Sequence, residues 1–328
     1  MTTSKKKLII EDEIVKDVLT GGENIKIHKP IIKWVGGKTQ IIEKVLHHFP
    51  TGINNYHEIF LGGGSVLLAF LDYVKKGIIN IKGLIYAYDI NEVLIYMYKN
   101  IQNNHLELYS QLQLLITDFN LCNNDGELNR KPTNIEEARQ LKENYYYWIR
   151  NNYNNLSIED KRTPLGSAYF IFLNKTCFRG MFRLGPNGFN VPYGNYKNPE
   201  IINIEYLNEI HDLIKDVIFE HKSYEDSLLN MKEDDFTYLD PPYAPEKNTS
   251  FVEYTEKGFS LEDNNKLFNI IDSLTNRDIK TLMSNSDVDL VNNYFNKKPY
   301  KIEKISCKRS INASKPGSKT NEVLIHNY

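Results

Sequence analysis

The stretch Tyr238-Leu239-Asp240-Pro241-Pro242-Tyr243 combines an apolar run, a carboxylate, two prolines and an aromatic ring. Proline cannot donate a backbone hydrogen bond to a neighbouring strand, and it disfavours the helical region for the residue before it. We therefore predict a strand that ends at Asp240 in a stiff corner. In open α/β sheets this end of a strand is where ligands bind. The simpler alternative is a proline turn in which Asp240 only caps the chain, since four-residue motifs recur by chance.

The composition limits the classes of function. The chain has 328 residues, of which 41% are apolar and 25% are charged, as in ordinary globular proteins. A formal net charge of -2 gives no overall positive field for nucleic acid, but it leaves room for a local basic face. The three cysteines are scattered and indicate neither a disulfide framework nor a metal site. We expect a cytoplasmic, reducing compartment, with no metal, no secretion signal and no membrane association.

Residues 31–39, Ile-Ile-Lys-Trp-Val-Gly-Gly-Lys-Thr, contain the Gly-Lys-Thr ending of a nucleotide phosphate loop. The spacing excludes that loop, because an isoleucine stands where its first glycine is required. We predict a strand, a tight turn at Gly36 and a helix over residues 39–48. Trp34 and Lys38 would then lie beside backbone that a ligand can approach closely. The alternative is a structural turn with a tryptophan in the core.

A glycine-rich turn follows in Glu58-Ile59-Phe60-Leu61-Gly62-Gly63-Gly64-Ser65, between a predicted strand and an apolar helix. The third glycine of the dinucleotide fingerprint is absent, so a carboxylate or an adenosine fits this turn as well as a phosphate does. The next predicted strand ends in Asp89, at the distance where nucleoside-binding folds place an acid for the ribose hydroxyls. Asp89 alone could be a helix cap. The order of turn and acid favours a nucleoside-type cofactor.

The middle of the chain is predicted to be mostly helical up to residue 152, with the aromatic cluster 145–148 in a core. Within residues 178–194, Gly185-Pro186-Asn187-Gly188 predicts a turn between two short β arms. These arms carry arginines and aromatic residues. Arginine reads guanine in the major groove, and aromatic tips can take the place of an extruded base. A decorated surface hairpin is the alternative.

The remainder alternates strands with helices, which predicts a doubly wound, largely parallel sheet. Ser260 and Asp263 should cap a helix that runs to about residue 274. We expect residues 250–254 to form a loop over the site. The basic residues within 308–319 are expected either to contact phosphates or to form a solvated loop. The predicted strands are residues 217–221, 236–240, 279–283, 300–306 and 322–328.

Taken in this order, the segments resemble the Dam-type, α-class DNA adenine-N6 methyltransferases, as found in type II restriction–modification systems. The resemblance covers nearly the whole chain from residue 31 to residue 328. It implies an α/β, Rossmann-like S-adenosylmethionine-dependent methyltransferase sheet of seven strands, with the last strand reversed. The matching segments are 33–38, 58–65, 89–91, 240–243, 251–262, 309–311 and 322–324.

We expect three parts of the chain on this basis. They are a flexible tail (1–24), a catalytic domain (25–101, 165–177 and 217–328), and a helical and β-hairpin target-recognition insert (102–164 and 178–216). Methyl transfer is assigned to Asp240, Pro241, Pro242 and Tyr243. S-adenosylmethionine, which leaves as S-adenosylhomocysteine, is assigned to Trp34, Gly36, Lys38, Glu58, Phe60, Gly62, Gly64, Ser65, Asp89, Ile90, Phe172 and Asp240. DNA contacts are assigned to Lys33, Phe178, Arg179, Met181, Arg183, Asn187, Pro192, Lys308 and Arg309.

The corner at Asp240 suits this chemistry. The exocyclic amine of adenine is a poor nucleophile because its lone pair is delocalised into the ring. Hydrogen bonds from both amine protons to the Asp240 carboxylate and the Pro241 carbonyl would draw the nitrogen toward a tetrahedral state. Tyr243 offers a face on which a flipped base can stack.

The expected function is methylation of N6 of a flipped adenine in a short, palindromic sequence of double-stranded DNA. Members that methylate GATC usually carry an asparagine where this chain has Arg179, so we expect another palindrome such as CATG. A restriction endonuclease is the expected functional partner, and the protein is expected to be a monomer or a weak dimer. The alternatives are a cytosine-N4 or RNA adenine methyltransferase and a catalytically inactive DNA-binding module.

Overall fold

The computed structural model describes residues 25–123, 125–244, 259–308 and 319–328. The chain divides into two compact units. The first unit contains the described residues up to 29, residues 38–90 and the described residues from 216 onward, and the second contains residues 30–37 and 91–215. The expected tail and the expected loop at 250–254 lie outside the described residues, as does most of the basic loop.

The strands, in chain order, are β1 Gly52–Ile53, β2 Tyr56–Glu58, β3 Asn80–Ile81, β4 Ile85–Asp89, β5 Leu184–Gly185, β6 Gly188–Phe189, β7 Val217–His221, β8 Phe236–Leu239, β9 Lys280–Ser286, β10 Lys301–Lys308 and β11 Lys319–His326. The helices are α1 Ile42–His47, α2 Ser65–Lys75, α3 Glu92–Leu121, α4 Ile135–Arg139, α5 Lys142–Asn155, α6 Ile158–Lys161, α7 Pro164–Thr176, α8 Ile204–Ile214, α9 Tyr224–Leu228, α10 Leu261–Thr275 and α11 Asp289–Phe295. A 3-10 turn spans Phe178–Gly180.

The first unit is built on a seven-stranded sheet in the order β10-β11-β9-β8-β2-β4-β7. The pairs β9–β8, β8–β2, β2–β4 and β4–β7 are parallel, and β11 is antiparallel to both of its neighbours. All residues of β2 and β8 are buried, as is typical of parallel strands covered on both faces. The predicted doubly wound sheet is confirmed, and so is the reversed last strand that the resemblance implies.

The second unit is organised around α3, a 30-residue helix with non-helical backbone angles at Asn104. It packs against α7 and α8, and the buried rings of Phe119, Tyr145 and Phe172 meet between the helices. Tyr145 and Tyr146 are both buried, which confirms the predicted aromatic core. No helix in the described part of the chain combines the length and apolar character needed to cross a membrane.

The boundaries of the two units differ from the expected domain boundaries. Residues 91–101 and 165–177 were expected in the catalytic domain, but they belong to the second unit. The reason is that α3 begins at Glu92 and continues as one element past residue 101, while α7 packs along it.

The strand expected at the start of residues 31–39 is absent, and α1 begins at Ile42. A side chain takes the place of a partner strand, because Asn174 pairs with both backbone groups of Lys33. The Lys33 N–H donates to Asn174 Oδ1 at 2.8 Å, and the Lys33 carbonyl accepts from Nδ2 at 2.8 Å. The β5–β6 hairpin and the reciprocal cap between Ser260 and Asp263 are confirmed. The expected helix over residues 136–151 is divided into α4 and α5, which are separated at residues 140–141.

Candidate active site

Asp240 follows the last residue of β8, at the carboxyl edge of the sheet in the first unit. Lys38 Nζ lies 2.6 Å from Asp240 Oδ2, and the two side chains are only 4% and 17% exposed. The other oxygen, Oδ1, is buried and has no hydrogen-bond partner in residues 25–123, 125–244, 259–308 and 319–328. A buried polar atom without a partner is costly, so this oxygen marks a place for a donor from a ligand.

The pKa of Asp240 reflects this environment. Burial raises it to about 6, against the opposing effect of the Lys38 ammonium group, and the Glu322 carboxylate adds to the increase. At neutral pH the group is therefore mostly ionised, which makes it a strong hydrogen-bond acceptor.

The segment after Asp240 is held by the next strands of the sheet. The Tyr243 hydroxyl donates to Glu322 Oε2 on β11 at 2.8 Å. The Ala244 N–H donates to Asn285 Oδ1 at 3.1 Å, and the Ala244 carbonyl accepts from Ser286 Oγ at 2.6 Å. Both ends of the proline corner are thus fixed, one by β8 and the other by contacts to β9 and β11.

The glycine-rich turn and the acid after it lie together at the same edge, since β2 and β4 are adjacent and parallel. The Gly62 N–H donates to Asp89 Oδ2 at 2.8 Å. Gly64 precedes α2 with a φ of +76°, a left-handed conformation that favours glycine. Ile90, next to Asp89, is 53% exposed. The Phe60 ring stacks on Tyr224 with 5.9 Å between ring centres.

Glu58 and Ser65 connect this turn to the rest of the edge. Glu58 is buried and accepts a 2.7 Å hydrogen bond from the Tyr56 hydroxyl. Burial raises the pKa of Glu58 to about 8. Ser65 Oγ accepts from the Lys38 N–H at 3.0 Å, so the backbone of Lys38 is tied to the start of α2. The acids at the ends of β2, β4 and β8 therefore form one polar edge in the first unit.

The second unit brings Lys33 against the turn that begins the hairpin segment. Gly180 has a φ of +64°, and a Cβ placed on it would lie 2.4 Å from Lys33 Cβ. Arg179 is exposed and has a φ of +57°, an uncommon conformation for a residue other than glycine. Asn174 Nδ2 also donates to the Gly180 carbonyl at 3.1 Å. Arg183 Nε donates to Asn190 Oδ1 at 2.6 Å across the hairpin.

The other residues expected to contact DNA differ in exposure. Phe178 is 45% exposed, Asn187 and Pro192 are exposed, and Met181 is half-buried. Lys308 ends β10, but its side chain lies outside the described part, as does Arg309.

Three residues assigned to the cofactor belong to the second unit. Gly36 has a φ of +86° and open space on its Cβ side. Trp34 is half-buried against Phe182, with 5.3 Å between ring centres. Phe172 is fully buried in the helical core, where its ring packs against other aromatic rings. The assignment of Phe172 to the cofactor stays a prediction, and in this structure its ring belongs to the aromatic core.

Residues 34–311 match the family described as D12 class N6 adenine-specific DNA methyltransferase. This chain belongs to that family. The Dam-type resemblance of the sequence is therefore confirmed.

Curated relatives match over almost their whole length. The type II methyltransferase M.MjaIII of Methanocaldococcus jannaschii is 35% identical over 315 residues, which cover 92% of this chain and 99% of that protein. The type II methyltransferase M1.LlaDCHI of Lactococcus lactis subsp. cremoris is 29% identical and covers 92% and 95%, respectively. The DNA adenine methylase of Escherichia coli (strain K12) is 29% identical and covers 93% and 96%.

Sequence reasoning about this methyltransferase missed three residues that fix candidate site segments, one in the second unit and two in the first. They are Asn174, which clamps Lys33, and Glu322 and Asn285, which hold the segment after the prolines. A local signal exists for Asn174, a polar residue that closes the long apolar run of α7. Glu322 lies in the segment 322–324 that resembles the family, but nothing in that segment indicates a contact with Tyr243. Asn285 has no comparable signal, because an amide on a strand is usually solvated.

Proposed function

We propose that this D12-class methyltransferase transfers a methyl group from S-adenosylmethionine to N6 of an adenine flipped out of a short, palindromic DNA duplex. One observation carries the proposal. Asp240 directly follows β8, and its buried Oδ1 lacks a partner among the described residues. An exocyclic amine has two protons to donate, and a carboxylate oxygen beside a rigid proline corner is a suitable acceptor for one of them.

The corner acts on the amine through hydrogen bonding. Asp240 accepts one N6 proton and the Pro241 carbonyl accepts the other, which draws the nitrogen toward a tetrahedral geometry and localises its lone pair. Pro242 restricts the backbone, so the acceptors are in place before the base arrives. The Tyr243 ring supplies a stacking surface for the extruded base. Orientation and electrostatic stabilisation carry the rate enhancement in this account.

The first unit fits S-adenosylmethionine, which supplies a sulfonium methyl group as the donor when it is bound. Asp89 is the last residue of β4, where nucleoside-binding folds place a ribose-binding acid. The exposed side chain of Ile90 suits contact with an adenine ring. The partly exposed backbone of Gly62 and the start of α2 suit the polar end of the donor. We propose that the first unit is catalytic and that the second recognises the target.

The backbone conformation of Arg179 supports a role for this residue in reading bases. A non-glycine residue in the left-handed region costs roughly 1–2 kcal/mol, and such residues cluster at functional sites. Lys33 lies against the same turn. Because GATC-specific members usually carry asparagine at the position of Arg179, we propose CATG rather than GATC as the target.

The test of the chemistry is Asp240→Ala. We expect S-adenosylmethionine binding within about threefold of wild type by calorimetry, because Asp89 and the glycine turn remain, and no transfer of a labelled methyl group to DNA. Asp212→Ala, an exposed acid on α8, is the control and should keep normal turnover. Normal turnover by the Asp240 variant would refute the proposal.

The test of the target is direct mapping of N6-methyladenine in DNA exposed to the enzyme. CATG is the expected context, and nucleoside analysis of the product separates adenine-N6 from cytosine-N4 methylation. In Arg179→Asn we expect the CATG:GATC rate ratio to fall about 5- to 150-fold, the equivalent of one bidentate base contact. Donor affinity should not change. Arg130→Ala, an exposed arginine of the same unit, is the control.

Two of the relatives are named type II methyltransferases. We propose on this basis that the protein protects DNA from a restriction endonuclease that cuts the same sequence. Purified genomic DNA methylated by the enzyme should then resist a nuclease specific for the mapped site. We further propose a monomer or weak dimer, which sedimentation at micromolar concentration tests.

A further inference from the structure

Glu322 contacts the proline corner from a distant part of the chain. It lies on the reversed strand β11, opposite Ser286 of β9, and it is half-buried. Its Oε2 accepts the hydrogen bond from the Tyr243 hydroxyl at 2.8 Å, and 79 residues separate the two in sequence. Because β11 is paired on both sides, this carboxylate is presented from a rigid support.

The hydrogen bond between Tyr243 and Glu322 restricts the orientation of the Tyr243 ring. Prolines restrict the backbone before Tyr243, but they do not fix the rotation of its ring about the side-chain bonds. The ring also has the Lys38 ammonium group 4.9 Å from its centre, a contact that leaves its tilt open. A hydrogen bond between a hydroxyl and a carboxylate is short, directional and stronger than a neutral one. Asp240 also interacts with the Tyr243 hydroxyl. The bond to Glu322 is the one with well-defined hydrogen-bond geometry, and it favours one ring orientation.

We propose that Glu322 is a positioning residue for methyl transfer, whose carboxylate holds the Tyr243 ring in the orientation on which the flipped adenine stacks. The inference rests on the proposed function. It assigns no contact between Glu322 and the substrate. It predicts that Glu322 acts on the rate of transfer through Tyr243 and leaves donor binding unchanged.

The negative charge of Glu322 also acts on Asp240, at the carboxyl edge of the sheet. The ionisable groups that face Asp240 are Lys38, Glu58, Tyr238, Tyr243 and Glu322. Among these the Glu322 carboxylate adds to the increase in the pKa of Asp240. Glu322→Gln keeps an acceptor oxygen for the tyrosine but removes the charge, so it separates positioning from electrostatics.

The experiment is a double-mutant cycle between Glu322→Ala and Tyr243→Phe, measured by single-turnover methyl transfer. We expect each single variant to slow transfer about tenfold, the rate equivalent of a hydrogen bond to a charged group. The double variant should be no slower than Tyr243→Phe alone, because the bond is already absent. Glu322→Gln should restore transfer to within about threefold of wild type and move the acid limb of the pH profile to lower pH. Glu303→Ala, an exposed acid on the adjacent β10, is the matched control.

The fluorescence of a base analogue reports stacking on the Tyr243 ring directly. With 2-aminopurine at the target adenine, stacking on Tyr243 quenches fluorescence, so the complex of Glu322→Ala with DNA should be brighter than that of wild type. The inference is overturned if the effects of the two variants multiply in the cycle, or if Glu322→Ala transfers at the wild-type rate. If Glu322→Ala does not fold, a wild-type rate for Tyr243→Phe overturns it equally.

The outcomes distinguish this inference from the proposed function. Loss of transfer in Asp240→Ala with no effect in Glu322→Ala would refute only the role of Glu322. Full transfer in Asp240→Ala would refute the proposed function itself.

Discussion

Replacing Lys38 with methionine tests how Asp240 is kept ready as an acceptor. Lys38 Nζ lies 2.6 Å from Asp240 Oδ2, and both side chains are largely buried. Methionine retains a long apolar side chain but carries no charge. An adjacent cation lowers the pKa of an aspartate by ~1–3 pH units, so its removal should raise the pKa of Asp240 from about 6 to the range of ~7–9.

The sign and size of the kinetic effect follow from this change. Asp240 accepts hydrogen bonds from N6 only when it is ionised, so activity is lost as the pH falls through its pKa. At pH 7 the ionised fraction should drop from roughly 0.9 to between about 0.5 and about 0.01. We therefore expect kcat/KM at pH 7 to fall about 2- to 100-fold, with recovery as the pH is raised toward 9.5.

The assay is the pH profile of kcat/KM for transfer of a labelled methyl group into DNA, from pH 5.5 to 9.5. This parameter reports the pKa of the free enzyme, to which the Lys38–Asp240 contact belongs. Lys38→Arg keeps a positive charge and should keep the acid limb near that of wild type. Any loss in the plateau at high pH reports other contacts of Lys38. An acid limb that stays in place in Lys38→Met would refute the reasoning.

Gly180→Ala should displace Lys33, because the new Cβ would lie 2.4 Å from Lys33 Cβ, and we expect DNA affinity to fall about tenfold without loss of donor affinity. Gly77→Ala is the control, because Gly77 also has a positive φ but has open space on its Cβ side. This variant should show the backbone strain as a lower Tm and should bind DNA normally. Equal DNA affinity for the two variants would contradict the prediction. Glu58→Gln addresses the buried acid whose pKa is raised from 4.5 to about 8. The folded state binds the extra proton in that range, so wild-type stability should fall as the pH rises from about 4.5 to about 8, and the variant should have a flatter dependence of Tm on pH. Parallel curves for the two proteins would show that Glu58 does not titrate in this way.

Much of the fold and part of the site follow from local constraints in the sequence. Proline fixes φ and lacks an N–H, which ends β8 before Pro241 wherever the strand lies in the sheet. Glycines at 62 and 64 permit the turn before α2, and the alternation of apolar runs predicts the sheet. The cap at Ser260 and Asp263 is equally local. These features depend on residues a few positions apart, so the sequence determines them directly.

The tertiary structure decided which distant groups meet. Lys38 and Asp240 are 202 residues apart, and Lys33 and Asn174 are 141 residues apart. Their contacts depend on how strands and helices pack, which no local pattern encodes. The missing strand near Lys33 has the same cause, since an apolar run becomes a strand only when another backbone pairs with it, and here a side-chain amide pairs instead.

The corner at Asp240 shows both contributions. The sequence determined its backbone, because two prolines and a buried strand leave few conformations. Only the tertiary structure supplied the ammonium group on one carboxylate oxygen, left the other oxygen buried without a partner in the described chain, and placed Glu322 on the Tyr243 hydroxyl. Charge and hydrogen bonding at a site depend on distances between remote segments, and folding alone fixes those distances.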